Sequence, residues 1–118
     1  MVAALPQRID FLRLAMNLGG KQKAVVEMLD LFMKSTKILL QQMEAAAVEK
    51  NIITWLQAAH KIKGASQNIT AKRLMMLCVE AEEIKELPHP QSSAVLYNMN
   101  KELALLRVAI NNQFTKLL

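Results

Sequence analysis

"KQKAVVEMLDLFMKSTKILLQQMEAAAV", Lys21–Val48, contains no glycine and no proline. Val25, Val26, Leu29, Phe32, Met33, Thr36, Leu39, Leu40, Met43 and Ala47 return at steps of three and four. That spacing draws one apolar stripe along a long amphipathic helix. Such a stripe must be buried against other elements, so the rest of the chain decides the architecture.

Working outward, Gly19 and Gly20 break a short helix expected over 7–17, with Ile9, Leu12 and Met16 on its inner face. On the other side, Asn51 reads as an N-cap for a helix over 52–67, with Trp55, Ala58, Ala59, Ile62, Ala65 and Ile69 inward. Gln67, Asn68 and Thr70 form a tight polar connection, and Thr70 can cap a helix over 71–86 that turns Leu74, Leu77, Cys78 and Ala81 inward. "LPHPQSS", Leu87–Ser93, stops that helix with two prolines, and Ser92 or Ser93 can cap the last one. There Leu96, Met99, Leu103, Leu106 and Ile110 alternate three- and four-residue steps. Long amphipathic helices joined by short connections predict an all-α fold: an antiparallel up-down four-helix bundle with a short N-terminal covering helix.

The totals agree. The chain has 118 residues, of which 53% are hydrophobic and only 4% aromatic, with three Gly and three Pro. That length suits one domain over 1–118, and so few turn formers exclude a β-sandwich. The single Cys78 cannot form an internal disulfide. The N-terminus lacks the pattern of a signal peptide, and no apolar run is long enough to span a membrane. A cytoplasmic protein is expected. The net charge is +5, but the basic residues occur as scattered pairs without interleaved aromatics, a weak basis for nucleic-acid binding.

His60 stands apart from the core stripe of its helix. Counting about 100° per residue groups Ile53, Leu56, Gln57, His60, Lys63, Gly64 and Gln67 on one face, away from Trp55 and Ile62. Gly64 follows His60 by four residues, where a mid-helix glycine costs on the order of 1 kcal/mol relative to alanine. A bare backbone beside the imidazole leaves room for a bulky partner, and Lys63 brings positive charge to the same surface. A neutral imidazole is a nucleophile. The combination suits a histidine that accepts a phosphoryl group from a macromolecular donor. The competing reading is a solvated helix face with a glycine accommodated for packing.

The stretch "AHKIKGASQNITAKRLMMLCVEAE", Ala59–Glu82, resembles the signature of histidine-containing phosphotransfer (HPt) domains. Ala59, His60, Ile62, Lys63, Gly64, Ser66, Ile69, Ala71, Leu74, Leu77, Cys78 and Glu82 match it. Thr70 departs from it, standing where the family usually has glycine, and implies a shifted backbone at that turn. The resemblance implies a histidine phosphocarrier in a two-component phosphorelay, shuttling a phosphoryl group between receiver-domain aspartates. His60 would carry it on Nε2, Lys63 would offset its charge, Gly64 would admit the receiver, and Glu82 would hydrogen-bond the other ring nitrogen. Ile53, Leu56, Gln57, Lys61 and Gln67 would meet the partner. The implied partners are response-regulator receiver domains, with a hybrid sensor kinase as a further candidate; neither nucleic acid nor membrane is implied, and a monomer is expected. No cofactor is expected on this chain, since Mg²⁺ would belong to the receiver. The role is stoichiometric rather than enzymatic, and no ATP site is visible.

Two alternatives make different demands. A helical protein-interaction module without phosphotransfer predicts a buried or misoriented His60. A nucleic-acid binder predicts salt-dependent affinity with no need of His60. "GGK" at 19–21 lacks the remainder of a phosphate-binding loop, and His60, Cys78 and His89 lack metal-ligand spacing.

Overall fold

The computed structural model describes residues 8–115, and the side chains of 8–113. Its elements are α1 (Phe11–Asn17), α2 (Gln22–Glu49), α3 (Ile52–Asn68), α4 (Lys72–Glu82) and α5 (Ser92–Thr115), with no strand among the described residues. Gln7, where the first helix was expected to begin, lies outside them.

Helix α2 runs for 28 residues and buries Val25, Leu29, Phe32, Met33, Thr36, Leu40, Met43 and Ala46. It stops at Lys50, whose φ of 59° is left-handed and whose N–H returns to the backbone of Ala46. The side chain of Asn51 then accepts the N–H of Thr54 and starts α3, as expected. Such a tight link between packed helices forces them antiparallel. Contacts close a ring in the order α2, α3, α4, α5 and back to α2, while α1 packs on α2. Arg73 near the start of α4 meets Glu102 on α5, and Asn100 on α5 meets Glu44 on α2. The bundle core holds Leu40, Met43, Trp55, Ile62, Leu74, Met99 and Leu106, all essentially inaccessible. Burying each such large side chain is worth about 1.5–3 kcal/mol.

Four local expectations need correction. In the first helix, Leu12 and Met16 are 74% and 70% exposed. The carboxylate of Asp10 accepts the N–H of Arg13, so α1 begins only at Phe11 and its inward position is Leu14. Ile9 is buried, but it precedes the helix and is not in phase with it. Thr70 does not cap α4. It takes the left-handed conformation, φ 60°, and Ala71 occupies the cap position without a side-chain bond. A β-branched residue is strained there. Its hydroxyl compensates by accepting the N–H of Asp10 at 2.9 Å and donating to the carbonyl of Ile69 at 2.6 Å. Thr70 therefore preserves the left-handed backbone for which glycine is the usual choice.

Helix α4 ends at Glu82 rather than 86, because Ile84 turns inward and is 3% exposed. At the start of α5, neither serine is the N-terminal acceptor. The ring Nδ1 of His89 takes the N–H of Gln91, and the Ser92 hydroxyl donates to the His89 carbonyl. The helical period also gave no warning of Glu102, 2% exposed on α5, which meets Arg8 and Arg73 at 3.3–3.4 Å.

Candidate functional site

His60 lies mid-way along α3 with its side chain 73% exposed. A buried histidine, as a module without phosphotransfer would have, is not what this helix presents. Helical phase explains the exposure. Trp55, Ala58, Ala59 and Ile62 are at most 1% exposed and form one stripe, and His60 lies about 100° beyond its edge.

Glu82 comes to the ring from the last turn of α4. Its Oε2 stands 3.7 Å from Nδ1, longer than a hydrogen bond but within ion-pairing range. Its Oε1 pairs with the Lys63 ammonium at 2.9 Å. The carboxylate therefore bridges the imidazole and the lysine, and Lys63 spends its charge on Glu82 instead of standing free beside the ring. Both partners of that bridge are sheltered, Lys63 at 30% and Glu82 at 25% exposure.

Trp55 fixes where Glu82 stands. Its indole N–H donates to the carbonyl of Ala81 at 2.9 Å, inside the core. The last carbonyls of a helix have no intrahelical partner. Here a side chain from the histidine-bearing helix supplies one, so the end of α4 is tied to α3 beside the site.

Gly64 is exposed, and a β-carbon built there meets nothing within 4 Å. Helix α3 continues past it to Asn68. Neither packing, nor a left-handed backbone, nor helix termination calls for glycine at this position.

Leu56, Gln57, His60, Lys61, Glu82 and Lys85 line one shallow groove. Ile53, one turn before Leu56 and Gln57, is 66% exposed. Gln67 faces a different cavity of about 250 Å³, with Asp10, Arg13, Thr70 and Lys72. Sequence reasoning missed Lys85. It lies past the end of α4, where helical periodicity gives no signal of which way a side chain faces. Its ammonium donates to the Glu82 carbonyl at 2.7 Å.

Cys78 is wholly buried on the inner side of α4. Burial pushes its thiol up to about 12; the nearby Glu82 carboxylate adds to the rise and Lys63 opposes it. It is a core hydrophobe rather than a nucleophile. Among the described residues, no group of three or more His, Cys, Asp or Glu side chains is placed to hold a metal ion, and no helix is long and apolar enough to cross a membrane.

Comparison with known proteins brings the same residues into focus. The chain resembles histidine-containing phosphotransfer protein B (HptB) from Pseudomonas aeruginosa PAO1, whose crystal structure superposes with a TM-score of 0.80 at 22% identity, covering 95% of this chain and 98% of that one. That likeness concerns the fold. No curated protein sequence matches the chain significantly. The sequence model of the Hpt domain matches residues 27–110, which takes in His60, its flanking helix face and Glu82. The chain belongs to the Hpt domain family and acts in histidine phosphotransfer within a phosphorelay.

Proposed function

We propose that His60 is the phosphoacceptor, exchanging its phosphoryl group with the aspartates of receiver domains. The observation that carries this reading is the pose of the imidazole: 73% exposed, with Nδ1 turned toward Glu82. That pairing favours the tautomer protonated on Nδ1 and leaves the Nε2 lone pair facing solvent.

In the forward step, the Nε2 lone pair attacks the phosphorus of an aspartyl phosphate. The N–P bond forms as the O–P bond breaks, and the electron pair of that bond returns to the aspartate as carboxylate. The ring becomes a phosphorylated imidazolium, and Glu82 stabilises its positive charge across Nδ1. Reversal on a second receiver restores neutral His60. The chain is regenerated stoichiometrically, without an ATP site or a cofactor of its own, and Mg²⁺ belongs to the receiver.

Gly64 supports the same reading, since a receiver must bring its aspartate within bonding distance of Nε2. Leu56, half-buried, and exposed Ile53 give the docking face an apolar portion, and Gln57 and Lys61 give it a polar one. Lys63 holds Glu82 in place. We take residues 1–118 as one domain, monomeric and cytoplasmic.

The test is incubation with a panel of phosphorylated receivers, with the label located by mass spectrometry under alkaline conditions. His60→Gln should abolish labelling with the helical circular-dichroism spectrum intact. Labelling that survives in this variant, at His89 for instance, would overturn the assignment.

A further inference from the structure

We propose that Lys85 is a ligand for the phosphoryl group carried by His60, a role that rests on His60 being the phosphoacceptor. Lys85 lies three residues beyond Glu82 and just past the end of α4. It lines the same groove as His60, Leu56 and Gln57.

Charge balance at the site is the first argument. Phosphorylation adds a group whose oxygens carry about two negative charges, against one positive charge gained by the ring. The Lys63 ammonium is already 2.9 Å from the Glu82 carboxylate, so that pair is neutral as a unit. The remaining cations lining the groove are Lys61 and Lys85. Lys61 is the immediate neighbour of His60 on the helix, about 100° around it, and adjacent helical residues do not face each other. Lys85 reaches the same groove from past the end of α4 rather than from the histidine's own helix.

Direction is the second argument. Helical side chains lean toward the N-terminus of their helix. By that rule the imidazole covers the turn of Leu56 and Gln57, which are groove residues, while Lys63 leans back toward the ring and is held there by Glu82. Nδ1 is the ring nitrogen that lies near Glu82, at 3.7 Å, and the groove that His60 lines is lined by Lys85 as well.

The lysine is also available. Its ammonium makes one hydrogen bond, at 2.7 Å, to the neutral carbonyl of Glu82. Three donors are present on an ammonium, so this bond leaves two for phosphoryl oxygens. The carbonyl acts as a rest that keeps the charge at the groove without neutralising it. The side chain itself is exposed, so replacing it leaves the core untouched.

Phosphoramidate tests this without a receiver. It transfers its phosphoryl group to an accessible imidazole nitrogen, the donor P–N bond breaking as ammonia departs. The ³¹P resonance of the phosphohistidine is then titrated in the parent and in Lys85→Gln, Lys85→Arg and Lys61→Gln. The charged groups facing the phosphoryl group are Lys61 and Lys63 from α3, and Glu82 and Lys85 from α4 and its end. Loss of a neighbouring cation makes the phosphoryl dianion harder to form. Lys85→Gln should therefore raise the phosphoryl titration midpoint by about 0.3–0.7 pH unit, the scale of an exposed ion pair. Lys85→Arg should restore the parent value, and Lys61→Gln should move it less. A midpoint unmoved by Lys85→Gln, or moved more by Lys61→Gln, overturns this role alone. A parent that forms no phosphohistidine at His60 overturns it together with the phosphoacceptor assignment.

Discussion

Gly64 offers a test in which stability and function should move in opposite directions. The residue lies within α3 (Ile52–Asn68), and a β-carbon added to it meets open space. Gly64→Ala should therefore gain the full helix-propensity difference, about 0.5–1 kcal/mol, with no steric cost to subtract. Part of this gain comes from restricting the unfolded chain. At about 2.1 cal/mol/K per residue, unfolding 118 residues releases about 250 cal/mol/K. The melting temperature should then rise by about 2–4 °C. Gly64→Gln should gain nearly as much, because glutamine is also a good helix former.

The same substitution should harm transfer. A glutamine at 64 projects from the exposed face one turn beyond His60, into space that the proposed receiver docking would fill. Transfer from a phosphorylated receiver should slow by about 10-fold or more in Gly64→Gln, which corresponds to about 1.4 kcal/mol at the docking step. The alanine variant should fall between it and the parent. The assays are calorimetric melting and single-turnover transfer at several receiver concentrations. A lower melting temperature in Gly64→Ala would show that the glycine serves the fold. Unchanged transfer in the more stable Gly64→Gln would show that docking does not need the bare backbone.

Leu56→Asp should weaken receiver affinity more than Lys61→Ala, since it sets a carboxylate in the apolar part of the groove and opposite the receiver's acceptor aspartate; equal losses, read by titration calorimetry at two salt concentrations, would move the docking surface elsewhere. Cys78, with its thiol pushed up to about 12 from 9.0 in the unfolded chain, contributes stability that is full below about pH 9 and is lost as pH rises toward 12. Iodoacetamide at pH 8 should accordingly label it only in denaturing urea, and rapid labelling of the native protein would refute the burial argument. Trp55→Phe keeps most of the buried ring but removes the donor to Ala81, and should cost about 1–3 kcal/mol in urea unfolding while slowing transfer even under conditions where the variant is fully folded.

What the sequence made legible follows from the range of the interactions involved. The stripes of α2, α3 and α5 are periodic and local, so they could be read directly but for Val26, placed on the α2 stripe yet 41% exposed, as could the Asn51 cap and the separation of His60 from Trp55. The helix ends were misplaced by short-range side-chain bonds, such as Asp10 to Arg13 and His89 to Gln91, but two misreadings turn on contacts between distant parts of the chain. Glu102 is accommodated in the interior because Arg8, 94 positions away, reaches it. Thr70 sustains a left-handed backbone with a hydroxyl bonded to Asp10, 60 positions earlier. A charged residue inside an apolar period, or a threonine before a helix, carries no local mark of such a partner. Lys85 was missed for a related reason: it lies beyond the helix end, where the 100° rule no longer says which way a side chain faces.

The site is coupled to the core through the end of α4. That helix stops at Glu82, leaving its final carbonyls without intrahelical acceptance. The N–H groups of Glu83 and Ile84 return to Val79, Glu80 and Ala81, and two side chains add to them: the Trp55 indole holds Ala81 from within the bundle, and Lys85 holds Glu82 from the groove. The Glu82 side chain meanwhile bridges Lys63 and the imidazole. Trp55 and His60 share α3, so the buried hydrogen bond constrains the separation between the histidine and its carboxylate. Packing of the bundle thereby orients a ring that is itself almost free in solvent. An exposed side chain ordinarily loses orientation as it gains access, and the anchored end of α4 reconciles the two while leaving the ring 73% exposed, as the proposed phosphoacceptor needs.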